Sequence, residues 1–142
     1  MPRGMSKSGP VGRFRAVVIL GLIAALAPAS ARATDWSKAR TLTVVTVEYA
    51  FEPKTLRFRR GVVYRLHLDN QGKETHEFTA PDFFKAIDMR DTAVVNADRT
   101  EIVIQPGQKK DLYFVAAQPG SYKLSCSDHD WAGMVGDITV AP

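Results

Sequence analysis

The chain has 142 residues, 45% of them hydrophobic and 24% charged, a balance that suits one folded domain and excludes a disordered, charge-dominated chain. Its formal net charge of +4 rests on 19 Lys and Arg against 15 Asp and Glu, but Arg3, Lys7, Arg13, Arg15 and Arg32 all lie in the first 33 residues. The remaining 14 basic and 15 acidic side chains give no reason to expect a nucleic-acid partner, which calls for clustered positive charge on the folded domain.

The first segment reads as a secretory signal peptide. "MPRGMSKSGPVGRFR" is basic, "AVVILGLIAALA" is apolar, and "PASARA" closes on small residues. The apolar run from Ala16 to Ala27 stops at Pro28, short of the roughly 20 residues that a membrane-spanning helix needs. Cleavage is expected after Ala33, with Ala31, Arg32 and Ala33 as the recognition triplet, leaving a 109-residue domain over 34–142 that is exported to the periplasm. Disulfides persist in such a compartment, yet the chain has one cysteine, Cys126. A lone cysteine in an exported protein points to a free thiol, an intermolecular bridge or a metal thiolate.

Past the leader, short β-patterned segments follow one another. "TLTVVTVEY" (41–49) is β-branched and alternating, and "VVYRLHLDN" (62–70) sets Val62, Tyr64, Leu66 and Leu68 on one face. His67 falls on the opposite face with Val63, Arg65 and Asp69 and is expected to be exposed and not a ligand. Next comes "HEFTA" (76–80), then "PDFFKAIDMRDTAVVNAD" (81–98), where Pro81 and Asp82 can open a short helix carrying Phe83, Phe84 and Ile87 in a crossover at the sandwich edge. "TEIVIQ" (100–105), "DLYFVA" (111–116), "YKLSC" (122–126) and "GDITV" (136–140) complete the set. The turns "RRG", "NQGK", "QPGQ" and "QPGS" divide them, so the reading is an all-β sandwich with one short helix or irregular crossover.

The stretch "CSDHDWAGM" (126–134) places a histidine three residues and a methionine eight residues after the cysteine. Thiolate and thioether ligands select copper and imidazole suits it; two His, one Cys and a weak axial Met describe an electron-transfer copper site. His76, in "NQGKETHEF", supplies the second imidazole from the start of a distant strand. Tyr122, Leu124 and Cys126 share one face of their strand, so the sulfur ends an inward-facing row. The following loop must turn back over it, with Gly133 easing the return to Met134. Taken singly, His76 is an ordinary strand-end residue, Met134 core packing and Cys126 an inert buried thiol; only the copper reading explains their spacing together.

On these residues the chain resembles the cupredoxins, the small blue copper proteins, with a ligand loop similar to that of plastocyanin and pseudoazurin. "FEPKTLRFRRG" (51–61), "LDNQGKETHEF" (68–78) and "PGSYKLSC" (119–126) extend the resemblance over nearly the whole 34–142 domain. It implies a Greek-key β-sandwich with one type 1 copper ion near one end, His76, Cys126 and His129 as equatorial ligands and Met134 as the axial one. Two features depart from many electron carriers of the family. Asp128 and Asp130 bracket the second histidine and Glu74 and Glu77 the first, while only Trp131 and Ala132 offer an apolar patch. The acidic rim suits a docking face for basic partners, a site that hands copper on, or a merely solvated edge. Trp131 either shields the metal or docks a partner, and Met89 is either cover packing or a second soft ligand.

The expected function is a periplasmic one-electron carrier cycling Cu(II) and Cu(I), with a redox partner such as a c-type cytochrome. The alternative is copper binding or delivery to a copper-accepting protein. A monomer is expected, and no enzymatic activity: copper oxidases and nitrite reductases of related folds need a further histidine-rich centre, and His67 alone is unassigned. Catalytic zinc normally has His, carboxylate or Cys ligands and an open position. "CSDH" also lacks the second cysteine of a haem-attachment motif.

Overall fold

The computed structural model describes Gly9 and residues 33–142, and Ala33–Pro142 forms a compact unit. The expected signal peptide therefore lies outside the described residues, except for Gly9 and Ala33. Among the described residues no helix is long and apolar enough to cross a membrane.

After a short 3-10 turn at Trp36–Lys38, the strands in chain order are β1 (Arg40–Val47), β2 (Ala50–Glu52), β3 (Thr55–Arg59), β4 (Val63–Asn70) and β5 (His76–Thr79). Helix α1 (Pro81–Lys85) intervenes. β6 (Ile87–Met89), β7 (Glu101–Ile104), β8 (Lys109–Ala116), β9 (Gly120–Ser125) and β10 (Val135–Ala141) follow, with a second 3-10 turn at Asp130–Ala132. One five-stranded sheet has the order β2-β1-β4-β8-β6 and the other β3-β10-β9-β5-β7. β1 runs parallel to β4 and β3 parallel to β10, while the remaining neighbours are antiparallel.

Alternation explains the layering. Tyr64, Leu66 and Leu68 of β4 and Leu112, Phe114 and Ala116 of β8 are buried, and Ile102 and Ile104 of β7 and Ile138 and Val140 of β10 face them from the other sheet. Phe58 lies at the centre of the core, edge-on to Tyr64 (centroids 4.8 Å) and Phe114 (5.2 Å) and stacked on Phe83 (5.6 Å). Such pairs add about 0.5–1.5 kcal/mol each to the roughly 1.5–3 kcal/mol gained by burying an apolar side chain.

Helix α1 begins on Pro81, whose fixed φ suits a first helical position, and it buries Phe83 and Phe84. It does not carry Ile87 as expected. The Ala86 N–H already closes the helix on the Phe83 carbonyl, and Ile87 opens β6, which pairs with β8. The crossover thus carries the chain from one sheet to the other, and Met89 is half-buried against the core, its backbone opposite Phe114.

His67 keeps to the outer face of β4 but is not freely exposed, because its side chain is only 20% accessible. Its Nδ1 lies 2.7 Å from Asp111 Oδ1, and Arg65 grips the same carboxylate with two hydrogen bonds of 2.9 Å. Burial alone would push the Asp111 carboxyl up; hydrogen bonds from Arg65 and His67 outweigh it and hold the group below its usual range.

Candidate metal centre

The turn between β4 and β5 places the first histidine. Asn70 is fully buried, and its side chain donates to the carbonyls of Glu74 and Ile104 at 2.8 Å each and accepts from the Gly72 N–H at 2.9 Å. A buried amide satisfied on three sides fixes the loop, so His76 enters β5 in one register, opposite Ile104 of β7. The second cluster of ligands comes from the connection between β9 and β10. Cys126 immediately follows β9, and its N–H donates to the Met134 carbonyl at 3.0 Å. The N–H groups of His129 and Met134 return to the carbonyls of Cys126 and His129 at 3.2 Å each. Gly133, in the left-handed region at φ 84°, ends the 3-10 turn where a side chain would be strained.

These turns bring together residues fifty positions apart. Donor atoms of His76, Cys126 and His129 all lie within 4.8 Å of one another. The Cys126 sulfur is 3.3 Å from Nδ1 of His129 and 4.0 Å from Nδ1 of His76, and the two rings meet edge to face with centroids 5.1 Å apart. His76, Cys126 and Met134 are fully buried, and the His129 side chain is 12% exposed. Met134 sits in the same core cluster, tied to Cys126 and His129 through its backbone. His67 is not in this donor group.

The protonation pattern suits a metal. His129 Nε2 lies 2.8 Å from Glu74 Oε2; a hydrogen on Nε2 donated to that carboxylate leaves Nδ1 with a lone pair facing the sulfur. His76 Nε2 is buried without a hydrogen-bond partner, 4.0 Å from Glu48 Oε1. Burial, and next the neighbouring His129, pull the His76 imidazole below its usual pKa, which favours the neutral ligand form. The Cys126 thiol is pushed up to about 11 by burial and by its contact with Glu77, so a metal must displace a firmly held proton. A thiol and two imidazoles in a largely buried pocket fit a soft or borderline cation, and a buried methionine on the same loop fits copper better than zinc.

Carboxylates stand closer than the sequence suggests. Glu77 alternates with His76 along β5, yet only 6% of it is exposed. Its N–H points at the Cys126 sulfur from 3.4 Å, and the Cys126 thiol donates to its Oε2 at 3.0 Å. The turn from β1 to β2 adds Glu48 and Tyr49, which the sequence reading missed because no spacing links them to the ligands. Glu48 accepts from the Lys73 N–H and from the Glu74 N–H at 3.0 Å, while Tyr49 donates to Glu74 at 3.3 Å and packs on His129 with centroids 4.8 Å apart. These contacts hold Glu48 below the usual carboxylate range, the Lys73 N–H contributing most, and Glu74 holds the Tyr49 phenol above its own. Trp131 is 77% exposed, its indole N–H donates to the Asp128 carbonyl at 2.8 Å, and its ring lies 6.0 Å from that of Tyr49.

The chain is similar to known proteins in sequence and fold. It is 32% identical over 118 residues to a "Copper-resistant cuproprotein CopI" of Rubrivivax gelatinosus, covering 77% of this chain and 72% of that protein. A protein of the same description from Pseudomonas aeruginosa is 22% identical over 139 residues, covering 72% and 77%. Among solved structures, dithionite-reduced auracyanin from Roseiflexus castenholzii superposes with a TM-score of 0.56 at 25% identity, over 73% of this chain and 99% of that one. The family described as "Cupredoxin-like domain" matches residues 16–140, and with the two-sheet sandwich and its His-Cys-His cluster this chain belongs to the cupredoxin family.

Proposed function

We propose that this cupredoxin is exported to the periplasm, binds one copper ion as a type 1 centre and serves copper tolerance by holding the ion. His76, Cys126 and His129 are the equatorial ligands and Met134 the axial one. The observation that carries the reading is the meeting of one thiol and two imidazole Nδ1 atoms inside a buried pocket. The relatives described as copper-resistant cuproproteins support its biological direction. Bound copper would supply a one-electron Cu(II)/Cu(I) couple. The chain's own residues fix the ligands through the Asn70 turn and the backbone bonds of the 126–134 loop, and the burial of His76, Cys126 and Met134 keeps water from them.

One-electron transfer to a partner protein is the second reading. A buried donor set held close together by backbone hydrogen bonds favours it, since little ligand movement is needed between oxidation states. Against it, Glu74 and Tyr49 cover the outer edge of His129, through which an electron would pass. Neither reading gives the protein a catalytic step.

The test is a Cu(II) titration followed by optical and EPR spectroscopy, beside Cys126→Ser. A single equivalent should produce an intense visible thiolate-to-copper band that the variant lacks; equal spectra would sink the four-ligand site. Mixing the loaded protein with a copper acceptor and separately with a one-electron reductant separates the roles. Transfer of the ion within minutes supports holding and delivery, and fast redox cycling with the ion retained supports electron transfer.

A further inference from the structure

Each of the three donor residues, His76, Cys126 and His129, has a glutamate beside it. Glu74 Oε2 lies 2.8 Å from Nε2 of His129, Glu77 Oε2 lies 3.0 Å from the sulfur of Cys126, and Glu48 Oε1 lies 4.0 Å from Nε2 of His76. The His76 nitrogen is an independent marker, since it is completely buried and has no hydrogen-bond partner, with the Glu48 carboxylate the nearest charge at 4.0 Å. Among the described residues no lysine or arginine forms an ion pair with any of these three carboxylates; their ion-pair contacts, where they have them, are to the two histidines. They come from the β1–β2 turn, the β4–β5 turn and β5, so the arrangement is built from separate parts of the chain.

We infer that Glu48, Glu74 and Glu77 shift the preference of the centre toward Cu(II) and so lower its reduction potential, an inference that rests on the copper reading above. Cu(II) carries one more positive charge than Cu(I), so a fixed anion stabilises the oxidised ion more, and most strongly where water does not screen it. The Glu74 carboxylate on the His129 N–H also makes that ring more basic, and therefore a better donor to the more demanding oxidised ion. Glu77 sets a carboxylate oxygen 3.0 Å from the Cys126 sulfur. Its backbone N–H, 3.4 Å from the same sulfur, acts in the opposite sense, but it is one dipole against three carboxylates. Glu48, Glu74 and Glu77 are thus positioning and tuning residues outside the ligand set. They offset part of the preference that thiolate and thioether donors give to Cu(I).

The experiment uses protein expressed from the full chain, loaded with copper, as wild type and as Glu74→Gln, Glu77→Gln and Glu48→Gln. Glu74, with its side chain 48% exposed, keeps the comparison valid even where a change at buried Glu77 disturbs folding. Reduction potential is read by optical redox titration, and affinity for each oxidation state by competition with Cu(II) and Cu(I) chelators. The expected result is a higher potential in each Gln variant, with Cu(II) affinity weakened by roughly 10- to 100-fold and Cu(I) affinity weakened less. Glu74→Asp, which keeps the charge, should stay nearer to wild type than Glu74→Gln. Variants that bind copper at the wild-type potential, or that lose both affinities equally, overturn the inference and leave the copper reading intact. A wild-type protein that forms no copper–thiolate band overturns both.

Discussion

Cys126 has two properties that pull against each other. It is fully buried with its proton held on sulfur up to about pH 11, yet its role in a copper centre needs the thiolate. In the metal-free protein the thiol should therefore be inert. Because the nucleophile is the thiolate, and the thiol value moves from 9.0 to about 11, the reactive fraction at neutral pH drops by about 100-fold relative to an unperturbed cysteine. Raising the pH should restore reactivity by about tenfold per unit, with no plateau below about pH 11, whereas a free cysteine levels off near its own lower value. Alkylation rates of the apoprotein between about pH 8 and 10, measured beside glutathione, check this. A rate matching the free thiol would mean that the sulfur is neither buried nor paired with Glu77 in solution.

At the scale of elements, the site depends on how closely β3, β9 and β10 approach one another beneath the ligand loop. Gly136 lies two residues after Met134, and a Cβ added there would stand 2.6 Å from the Lys54 carbonyl and 3.1 Å from Leu124 Cδ2. The first of these atoms is backbone and cannot swing away, so β10 must move. Gly136→Ala should destabilise the fold by about 1–3 kcal/mol, the usual cost of overpacking, in urea-induced unfolding. Val135→Ala, at a position 40% exposed, should change it by less than about 0.5 kcal/mol. Equal midpoints would show that the strands can part without cost.

The same strands show what the sequence revealed. The seven expected segments correspond to β1, β4, β5, β7, β8, β9 and β10, because period-two burial and Gly or Pro turns mark each one. β2, β3 and β6 were not separately legible: two have three residues, too few to show a period, and β3 was absorbed in the segment running to Gly61. At the site, the offsets within 126–134 identified Cys126, His129 and Met134 because one loop carries all three. His76 was found through metal chemistry, since only a softness argument demanded another imidazole. Glu77 was visible as a neighbour but not as a buried partner of sulfur. Alternation on β5 assigns it to the face away from His76, and it is the ligand loop folding back, with the Asp128 N–H 3.4 Å from Glu77 Oε2, that covers that face. Glu48 and Tyr49 come from a turn of the opposite sheet, a relation no local pattern encodes.

Over the whole molecule, the centre joins pieces that are distant along the chain. One histidine begins β5, the other three candidate ligands lie between β9 and β10, and the carboxylate of Glu48 arrives from the sheet that contains β1 and β4. An unfolded chain cannot present these donors together, so copper binds the native state and adds its binding free energy to folding. With free copper near a thousand times the dissociation constant, linkage adds about 4 kcal/mol. For a domain of this size each kcal/mol moves Tm by about 4 °C, which makes the expected rise on the order of 15 °C. Calorimetry of the apo and copper-loaded protein measures it, and a chelator should reverse it. Cys126→Ser removes the softest donor and should keep no more than a few degrees of the rise. If wild type and variant gained equally, the stabilisation would come from the exposed carboxylates of the rim and not from the buried cluster, because only the cluster closes across both halves of the chain.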